Sequence, residues 1–170
     1  MSMKTNIEYQ CIVHVNDFNK EKVVFNLNPG VNGKPQSALW TSTLEGKLID
    51  TGWISWCNAN NFGIKGHNSV FFIKPKANIN VFEIETLEDA LSIIKSSDSY
   101  MGYIDYKKLA KDFHGIHFTW TAVALGKVFN NQIPLYISSF LNIIDCESTV
   151  WFDSDWIDNV FYACELSDVA

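Results

Sequence analysis

Apolar and polar residues alternate along several short stretches of the chain, and this alternation predicts β-strands. The predicted strands cover residues 7–15, 23–27, 38–43, 70–73, 80–84, 115–120, 148–152 and 159–165. Turn-forming residues 75–78 separate two of these strands, so residues 70–73 and 80–84 are predicted to pair as a β-hairpin. Residues 28–35 are rich in Asn, Gly and Pro and are predicted to form a loop.

Helical spacing of apolar residues predicts short helices between the strands. One covers residues 52–62, where Trp53, Trp56 and Cys57 share one face at i, i+3 and i+4. A second begins after Thr86, with Asp89 three residues on to complete a capping box. Its buried face is predicted to hold Leu87, Ala90, Leu91 and Ile94. A third covers residues 105–113, whereas residues 122–142 fit either a helix or a strand.

The order of these elements is mixed rather than a regular β-α-β alternation, which predicts an α+β fold. We expect one domain over residues 1–170, with mixed, mostly antiparallel sheets and short helices. The hydrophobic fraction of 47% and the aromatic fraction of 14% indicate a folded globular chain. No apolar run approaches the ~18 residues that span a bilayer. Residues 1–6 lack the apolar stretch of a signal peptide, so we expect a cytoplasmic protein with no membrane partner.

The charged residues and the cysteines argue against several kinds of binding site. All 13 basic residues are lysines, against 19 acidic residues, and the net charge is −6. A bidentate guanidinium clamp is therefore excluded, and the missing basic stripe argues against a nucleic-acid partner. The four cysteines form no Cys-x-x-Cys pair, which predicts buried free thiols. We expect no metal site either, because Gly115 argues against a shared helical face for His114 and His117.

Tryptophans are concentrated in one segment of the chain. Three of the six, Trp40, Trp53 and Trp56, fall within 17 residues and stand beside hydroxyl side chains. Such a cluster forms either a half-buried surface that accepts flat ligands or a corner of the core. We predict that Trp40 or Trp53 contacts a ligand, whereas Trp56 and Cys57 belong to the core.

Polar residues also interrupt three predicted strands or strand ends. His14 lies in an apolar strand, the hydroxyls of residues 41–43 follow Trp40, and Asp145 and Glu147 precede the strand over 148–152. Acids beside a buried strand are costly unless they are paired or used. Each group also has a structural alternative: a hydrogen-bonded core histidine, strand-edge hydroxyls and a solvated acidic loop.

Taken together, these stretches resemble a group of uncharacterised bacterial and phage proteins and, more distantly, the His-type ADP-ribosyltransferase fold. The group carries His-Tyr-Gly, Gly-Leu-Trp-Ala-Ser-Pro, Tyr-Gly-Trp-x-x-Trp-Cys and Asp-Cys-Asp/Glu-Ser segments, which correspond to residues 14–16, 38–43, 51–57 and 145–148. The resemblance covers most of residues 12–152. Here Val15 and Asn16 replace Tyr-Gly, Thr43 replaces proline, and Asp145 replaces the first acid of a Glu-x-Glu pair.

The resemblance implies an enzyme, an ADP-ribosyltransferase or NAD glycohydrolase, that cleaves the nicotinamide–ribose bond of NAD. It implies three catalytic residues: Glu147 stabilises the oxocarbenium-like transition state, His14 orients the ribose and Ser42 supports Glu147. The NAD-binding residues that it implies are His14, Asn16, Trp40, Thr41, Ser42, Trp53 and Asp145. The acceptor stays open between water, a nucleic acid and a protein, such as the host or bacterial target of a phage-encoded effector.

A second hypothesis keeps the fold without the chemistry. The departures at Val15, Asn16 and Asp145 favour a catalytically inactive protein that masks a host factor or binds a nucleotide without turning it over. The sequence leaves both hypotheses open.

Overall fold

The computed structural model describes residues 3–4, 7–15, 17–30, 32–44, 46–63, 68–97, 101–128 and 132–169. Their strands are β1 (Met3–Lys4), β2 (Gln10–Val15), β3 (Asn26–Pro29), β4 (Pro35–Ser37), β5 (Leu39–Thr43), β6 (Asn68–Pro75), β7 (Val81–Ile84), β8 (Ile94–Ser96), β9 (Gly102–Ile104), β10 (Gly115–Phe118), β11 (Ser148–Trp151) and β12 (Ile157–Glu165). Their α-helices are α1 (Gly52–Asn60), α2 (Leu87–Ile93), α3 (Tyr106–Leu109), α4 (Trp120–Val128) and α5 (Leu135–Leu141).

Eight strands form one sheet in the order β1-β7-β10-β11-β5-β2-β6-β12. Within the described ranges β7 and β10 pair in parallel, and the other neighbours in this sheet pair antiparallel. Two small antiparallel sheets, β3-β4 and β8-β9, lie outside it. The expected α+β class with a mostly antiparallel sheet and short helices is therefore confirmed.

The two faces of the sheet carry separate apolar clusters, because successive side chains on a strand point to opposite faces. Val150 of β11 lies opposite Trp40 and Ile116 and packs with helices α2, α4 and α5. Its neighbour Trp151 lies opposite Leu39 and packs on the other face, where its ring stacks on Trp156 at 3.7 Å between centroids. Strands β10 and β11 are buried along their whole length.

The predicted hairpin of residues 70–73 with 80–84 is wrong. β6 lies between β2 and β12, whereas β7 lies between β1 and β10, so the two strands sit in different halves of the sheet. The turn between them is real, with Asn78 in the left-handed region at φ 62°. Both strands are largely buried and each needs a partner on both edges, which a local hairpin alone does not supply.

The predicted loop over residues 28–35 and strand over 23–27 need correction too. β3 begins at Asn26 and pairs with β4, so these residues form a small hairpin with its turn near Gly33. The strand predicted over 38–43 is confirmed as β5, that over 159–165 as the edge strand β12, and that over 148–152 as β11.

The helices follow the apolar pattern, with shifted ends. α1 is confirmed, and the capping box of α2 forms, with the Asp89 N–H donating to Thr86 Oγ1 at 3.2 Å. Of the four residues predicted on the buried face of α2, Ala90 and Ile94 are buried and Leu87 packs against the core, although Ile94 already begins β8. Leu91 is 45% exposed, so the prediction is wrong for that residue.

Three other predicted elements have different bounds. The helix predicted over 105–113 is shorter, because α3 ends at Leu109. β10 ends at Phe118 and Trp120 already belongs to α4, where the Thr119 hydroxyl accepts the Ala122 N–H at 3.2 Å. The ambiguous residues 122–142 contain most of α4 and all of α5, so helix is the correct assignment there.

Candidate functional site

A cleft opens where strands β2 and β5 separate. Within the described residues, β2 and β5 pair at Gln10 with Thr43 and at Cys11 with Ser42. Beyond those pairs, β2 stays paired with β6 and β5 stays paired with β11, so the two strands move apart. Between the separated strands lies a cavity of about 500 Å³. It is lined by residues of β2 and β5, of the segments 17–24, 34–38 and 144–148, and by Trp53 of α1.

Two tryptophans, Trp40 and Trp53, line the cleft, and contact of one of them with a ligand stays a prediction. Trp40 is half-buried and stacks on Phe118 with 6.2 Å between ring centroids. Trp53 stacks on Trp56 at 5.0 Å and is also half-buried. Each of these indole rings therefore packs against another aromatic ring, which limits its movement.

The other half of the tryptophan prediction is correct for Cys57 only. Cys57 is fully buried against Cys11 and Ile54. Trp56 is half-buried and packs on Phe62, which is itself 53% exposed, so Trp56 lies at the margin of the core rather than within it.

His14 lies on β2 where the strand borders the cleft. Its side chain is exposed, and its ring meets Phe18 edge-on at 5.6 Å. The alternative of a hydrogen-bonded core histidine is therefore wrong. Asn16, the next predicted NAD-binding residue, lies outside the residues that the structure describes.

The hydroxyls of β5 are bonded inside the protein. Ser42 is fully buried and donates to the main-chain carbonyl of Glu147 at 2.8 Å, so it holds the backbone of Glu147 rather than its carboxylate. Thr41 is buried too; its hydroxyl donates to Gln10 and accepts the indole N–H of Trp151 at 2.8 Å. Both residues line the cleft.

The carboxylate of Glu147 lies away from the cleft. It accepts the Thr43 main-chain N–H at 3.1 and 3.2 Å and the Thr43 hydroxyl at 2.8 Å. It also lies 3.4 Å from Nδ1 of His117. Asp145, Cys146 and Ser148 line the cleft, whereas Glu147 is not among the lining residues. The structure thus brings His14, Ser42 and Asp145 to one cavity and leaves the Glu147 carboxylate outside it.

Strand parity explains which side chains this carboxylate meets. Glu147 stands just before β11 and two residues before Thr149, which lies opposite both Thr41 and His117, and side chains two apart along an extended chain point the same way. The carboxylate therefore belongs to a buried polar network on the face opposite Trp40. Its members are Gln10, Thr41, Thr43, Glu83, His117, Glu147, Thr149 and Trp151.

Sequence reasoning missed His117 as a member of this network. Its Nδ1 lies 3.0 Å from the Thr149 hydroxyl, and its Nε2 lies 3.9 Å from a carboxylate oxygen of Glu83. The sequence did hint at it, because His117 interrupts an apolar strand in the same way as His14. From the sequence, His117 was considered only as a possible metal ligand. Among the described residues, no group of three His, Cys, Asp or Glu side chains is placed to hold a metal ion.

A lysine and an acid share the cleft. Lys34 is half-buried, and its Nζ lies 5.2 Å from the centre of the Trp40 ring. Burial lowers the pKa of Lys34, while the negative charge of Asp145 acts in the opposite direction. Asp145 itself is exposed, and its main-chain carbonyl accepts a hydrogen bond from Lys127 at 2.9 Å.

The cysteines are free thiols, as expected, and three of them are buried. Cys146 borders the cleft, and burial raises its pKa to about 12. Its thiol therefore stays protonated near neutral pH and is a poor nucleophile.

The fold and the cleft define an α+β protein with a ligand-sized cavity where its main sheet divides. Comparison of the chain with known protein families, with curated proteins and with solved structures finds no match. Among the helices that the structure describes, none is long and apolar enough to cross a membrane.

Proposed function

We propose that the protein binds NAD in the cleft between β2 and β5. The observation that carries this proposal is the cavity of about 500 Å³, lined by Trp40, Trp53 and His14. Cavities of roughly 300–1,000 Å³ with apolar and aromatic linings and a few polar groups are typical of small-molecule sites. The resemblance to the ADP-ribosyltransferase fold, whose members use NAD as a substrate, favours NAD among the flat ligands that such a cleft could accept.

The flat rings and the ribose of NAD have complementary groups in the cleft. The half-buried rings of Trp40 and Trp53 offer flat apolar surfaces to nicotinamide or adenine. The exposed imidazole of His14 is accessible to a ribose hydroxyl. Because both tryptophans are already stacked on other rings, little side-chain freedom is lost when the ligand binds.

Binding without turnover is the version that the geometry favours. A catalytic acid must reach the reacting atoms, yet the Glu147 carboxylate is hydrogen-bonded to Thr43 outside the cleft. We therefore place first a catalytically inactive protein that binds the nucleotide without turning it over, or that masks a host factor.

Cleavage of NAD is the second candidate, and the position of Glu147 in the chain supports it. Its neighbours Cys146 and Ser148 both line the cleft, and Ser42 fixes its main chain. In this reaction the bond between the nicotinamide nitrogen and the ribose carbon breaks and nicotinamide leaves with the bonding pair. Water then gives ADP-ribose and a proton, or a protein nucleophile takes the ADP-ribosyl group. A carboxylate beside the ribose would stabilise the positive charge of the transition state.

One experiment tests both candidates. NAD is added to wild type, Glu147→Gln and a control, Glu8→Gln, which removes an exposed acid outside the cleft. Melting temperature reports binding, and chromatography reports released nicotinamide. We expect NAD to raise the melting temperature of all three proteins, since a ligand that binds only the folded state stabilises it.

The outcomes separate the candidates. Stabilisation of all three proteins without released nicotinamide supports the binding protein. Nicotinamide released by wild type and Glu8→Gln but not by Glu147→Gln supports cleavage and displaces binding without turnover. No change in melting temperature and no nicotinamide would refute the proposed function.

A further inference from the structure

We infer that Lys34 is the residue that makes the cleft specific for phosphate-bearing ligands, by placing an ammonium group beside the Trp40 ring. This inference rests on the proposed function, because it assigns the part of the site that would bind the diphosphate of NAD. Lys34 is a specificity-determining residue in this role, with no part in breaking a bond.

Within the described ranges, few positively charged side chains line the cleft to bind an anion. The chain has 13 lysines and no arginine, so a positively charged partner for a phosphate must be a lysine or a protonated histidine. Lys22 and Lys34 are the lysines among the lining residues that the structure describes, and Asp17 and Asp145 line the same cavity. Without a well-placed cation, these carboxylates would repel a diphosphate.

Of the two lysines, Lys34 is the one that the fold holds inside. Lys22 is exposed at the end of a short 3₁₀ turn, whereas Lys34 is half-buried with its Nζ 5.2 Å from the Trp40 ring centre. A cation in a partly dry cavity attracts an anion more strongly than one in water. Lys34 is therefore better placed than Lys22 to discriminate between charged and neutral ligands.

The main chain around Lys34 is fixed before any ligand arrives. The Lys34 carbonyl accepts the Gly30 N–H at 2.6 Å, and the Gly33 carbonyl accepts the buried Tyr106 hydroxyl at 3.0 Å. Gly33 has φ +75°, and a Cβ there would lie 2.3 Å from the carbonyl oxygen of Gly102. This turn therefore packs closely on the body of the protein and presents Lys34 to the cleft at low entropic cost.

Within the part of the chain that the structure describes, Asp145 is the carboxylate whose charge acts on Lys34. Burial outweighs the charge of Asp145 in setting its pKa, which lies below the ordinary value for lysine. An incoming phosphate would stabilise the charged ammonium and form a charge-assisted hydrogen bond with it. The ring of Trp40 supplies a further weak attraction for the same cation.

The test compares ligands with and without phosphate on three variants. Calorimetry measures NAD, adenosine and inorganic pyrophosphate against wild type, Lys34→Gln, Lys34→Arg and Lys74→Gln. Lys74→Gln removes the same charge from an exposed ion pair with Asp158 at 3.0 Å, outside the cleft. Melting temperatures without ligand check that each variant is folded.

We expect Lys34→Gln to weaken NAD binding by about 10- to 100-fold, the loss of one charge-assisted hydrogen bond. Adenosine affinity should change by less than about twofold, since adenosine carries no phosphate. Lys34→Arg should keep most of the NAD affinity, because the charge is retained. Lys74→Gln should match wild type for every ligand.

The results distinguish this inference from the proposed function. NAD affinity unchanged in Lys34→Gln, or NAD and adenosine weakened equally, overturns the role of Lys34 and leaves NAD binding intact. Pyrophosphate bound through Lys34 while wild type does not bind NAD supports the role of Lys34 and refutes NAD as ligand. Wild type that binds neither NAD nor pyrophosphate overturns both.

Discussion

Replacing the buried carboxylate of Glu147 with an amide distinguishes a structural acid from a catalytic one. In the folded protein this carboxylate accepts two hydrogen bonds from Thr43, from its N–H and its hydroxyl, and lies 3.4 Å from His117. Glu147→Gln keeps the shape and one acceptor oxygen but turns the other oxygen into an NH₂ donor. That donor then lies close to the Thr43 main-chain N–H, which cannot accept a hydrogen bond.

The size of the effect follows from these contacts. A hydrogen bond to a charged group contributes about 1.5–3 kcal/mol, and a buried donor left without a partner costs about 1–3 kcal/mol. Glu147 is only 6% exposed, so water does not replace the lost acceptor. We expect Glu147→Gln to lower the free energy of unfolding by about 2–3 kcal/mol.

Urea unfolding followed by tryptophan fluorescence at 25 °C measures this change. The control is Glu8→Gln, an exposed acid whose replacement should change stability by less than about 0.5 kcal/mol. A Thr43→Val variant and the double variant complete a cycle, in which we expect a coupling between Thr43 and Glu147 of about 1–2 kcal/mol.

The opposite result would contradict this reasoning. Groups kept for catalysis are often costly to the folded state, so that removing them leaves stability unchanged or raises it. If Glu147→Gln is as stable as wild type and no coupling to Thr43 is measured, the hydrogen bonds to Thr43 do not hold this acid in place. The second candidate, cleavage of NAD, would then gain support over binding alone.

The remaining predictions concern the cleft and its supports. Gly33→Ala should lower the free energy of unfolding by more than about 2 kcal/mol in urea, because the added Cβ, at φ +75°, would lie 2.3 Å from a main-chain oxygen. The control is Gly46→Ala, whose Cβ at φ +64° would meet no atom within 4 Å; it should lower the free energy of unfolding by about 1 kcal/mol. Burial raises the pKa of Cys146 to about 12, so its thiol should not react with a thiol reagent at pH 8 until the protein unfolds. Fast modification of Cys146 in the native protein would contradict its burial. Trp40→Leu should weaken NAD binding about tenfold in calorimetry while Trp40→Phe keeps most of the affinity, and equal affinities would exclude stacking on this ring.

Local sequence patterns predicted the elements whose signals are local. The alternation over residues 38–43 gave β5, the i, i+3 and i+4 spacing of residues 53–57 gave α1, and the Thr86–Asp89 capping box gave the start of α2. Each of these depends on residues a few positions apart, whose geometry the main chain fixes by itself.

Features that depend on pairing between strands far apart in the chain could not be predicted from local sequence patterns. The turn at Asn78 suggested that β6 and β7 pair with each other, yet both find their partners elsewhere in the sheet. The proximity of Ser42 to Glu147 was expected from the resemblance, and a hydrogen bond joins them, but it involves the main chain of Glu147. Which way the carboxylate points depends on the register of β11 against β5 and β10, which no local pattern contains.

One strand connects the cleft with the buried network. Along β5, Trp40 and Ser42 share one face and Thr41 and Thr43 the other, because side chains alternate. Thr41 and Thr43 donate into the network that holds Glu147, while Trp40 lies beside Lys34 in the cleft. The buried network therefore stabilises β5, the strand that carries Trp40. Glu147 can affect ligand binding through this strand without contacting the ligand itself. On this account a change at Thr43 acts on binding through stability, whereas a change at Trp40 acts on binding directly.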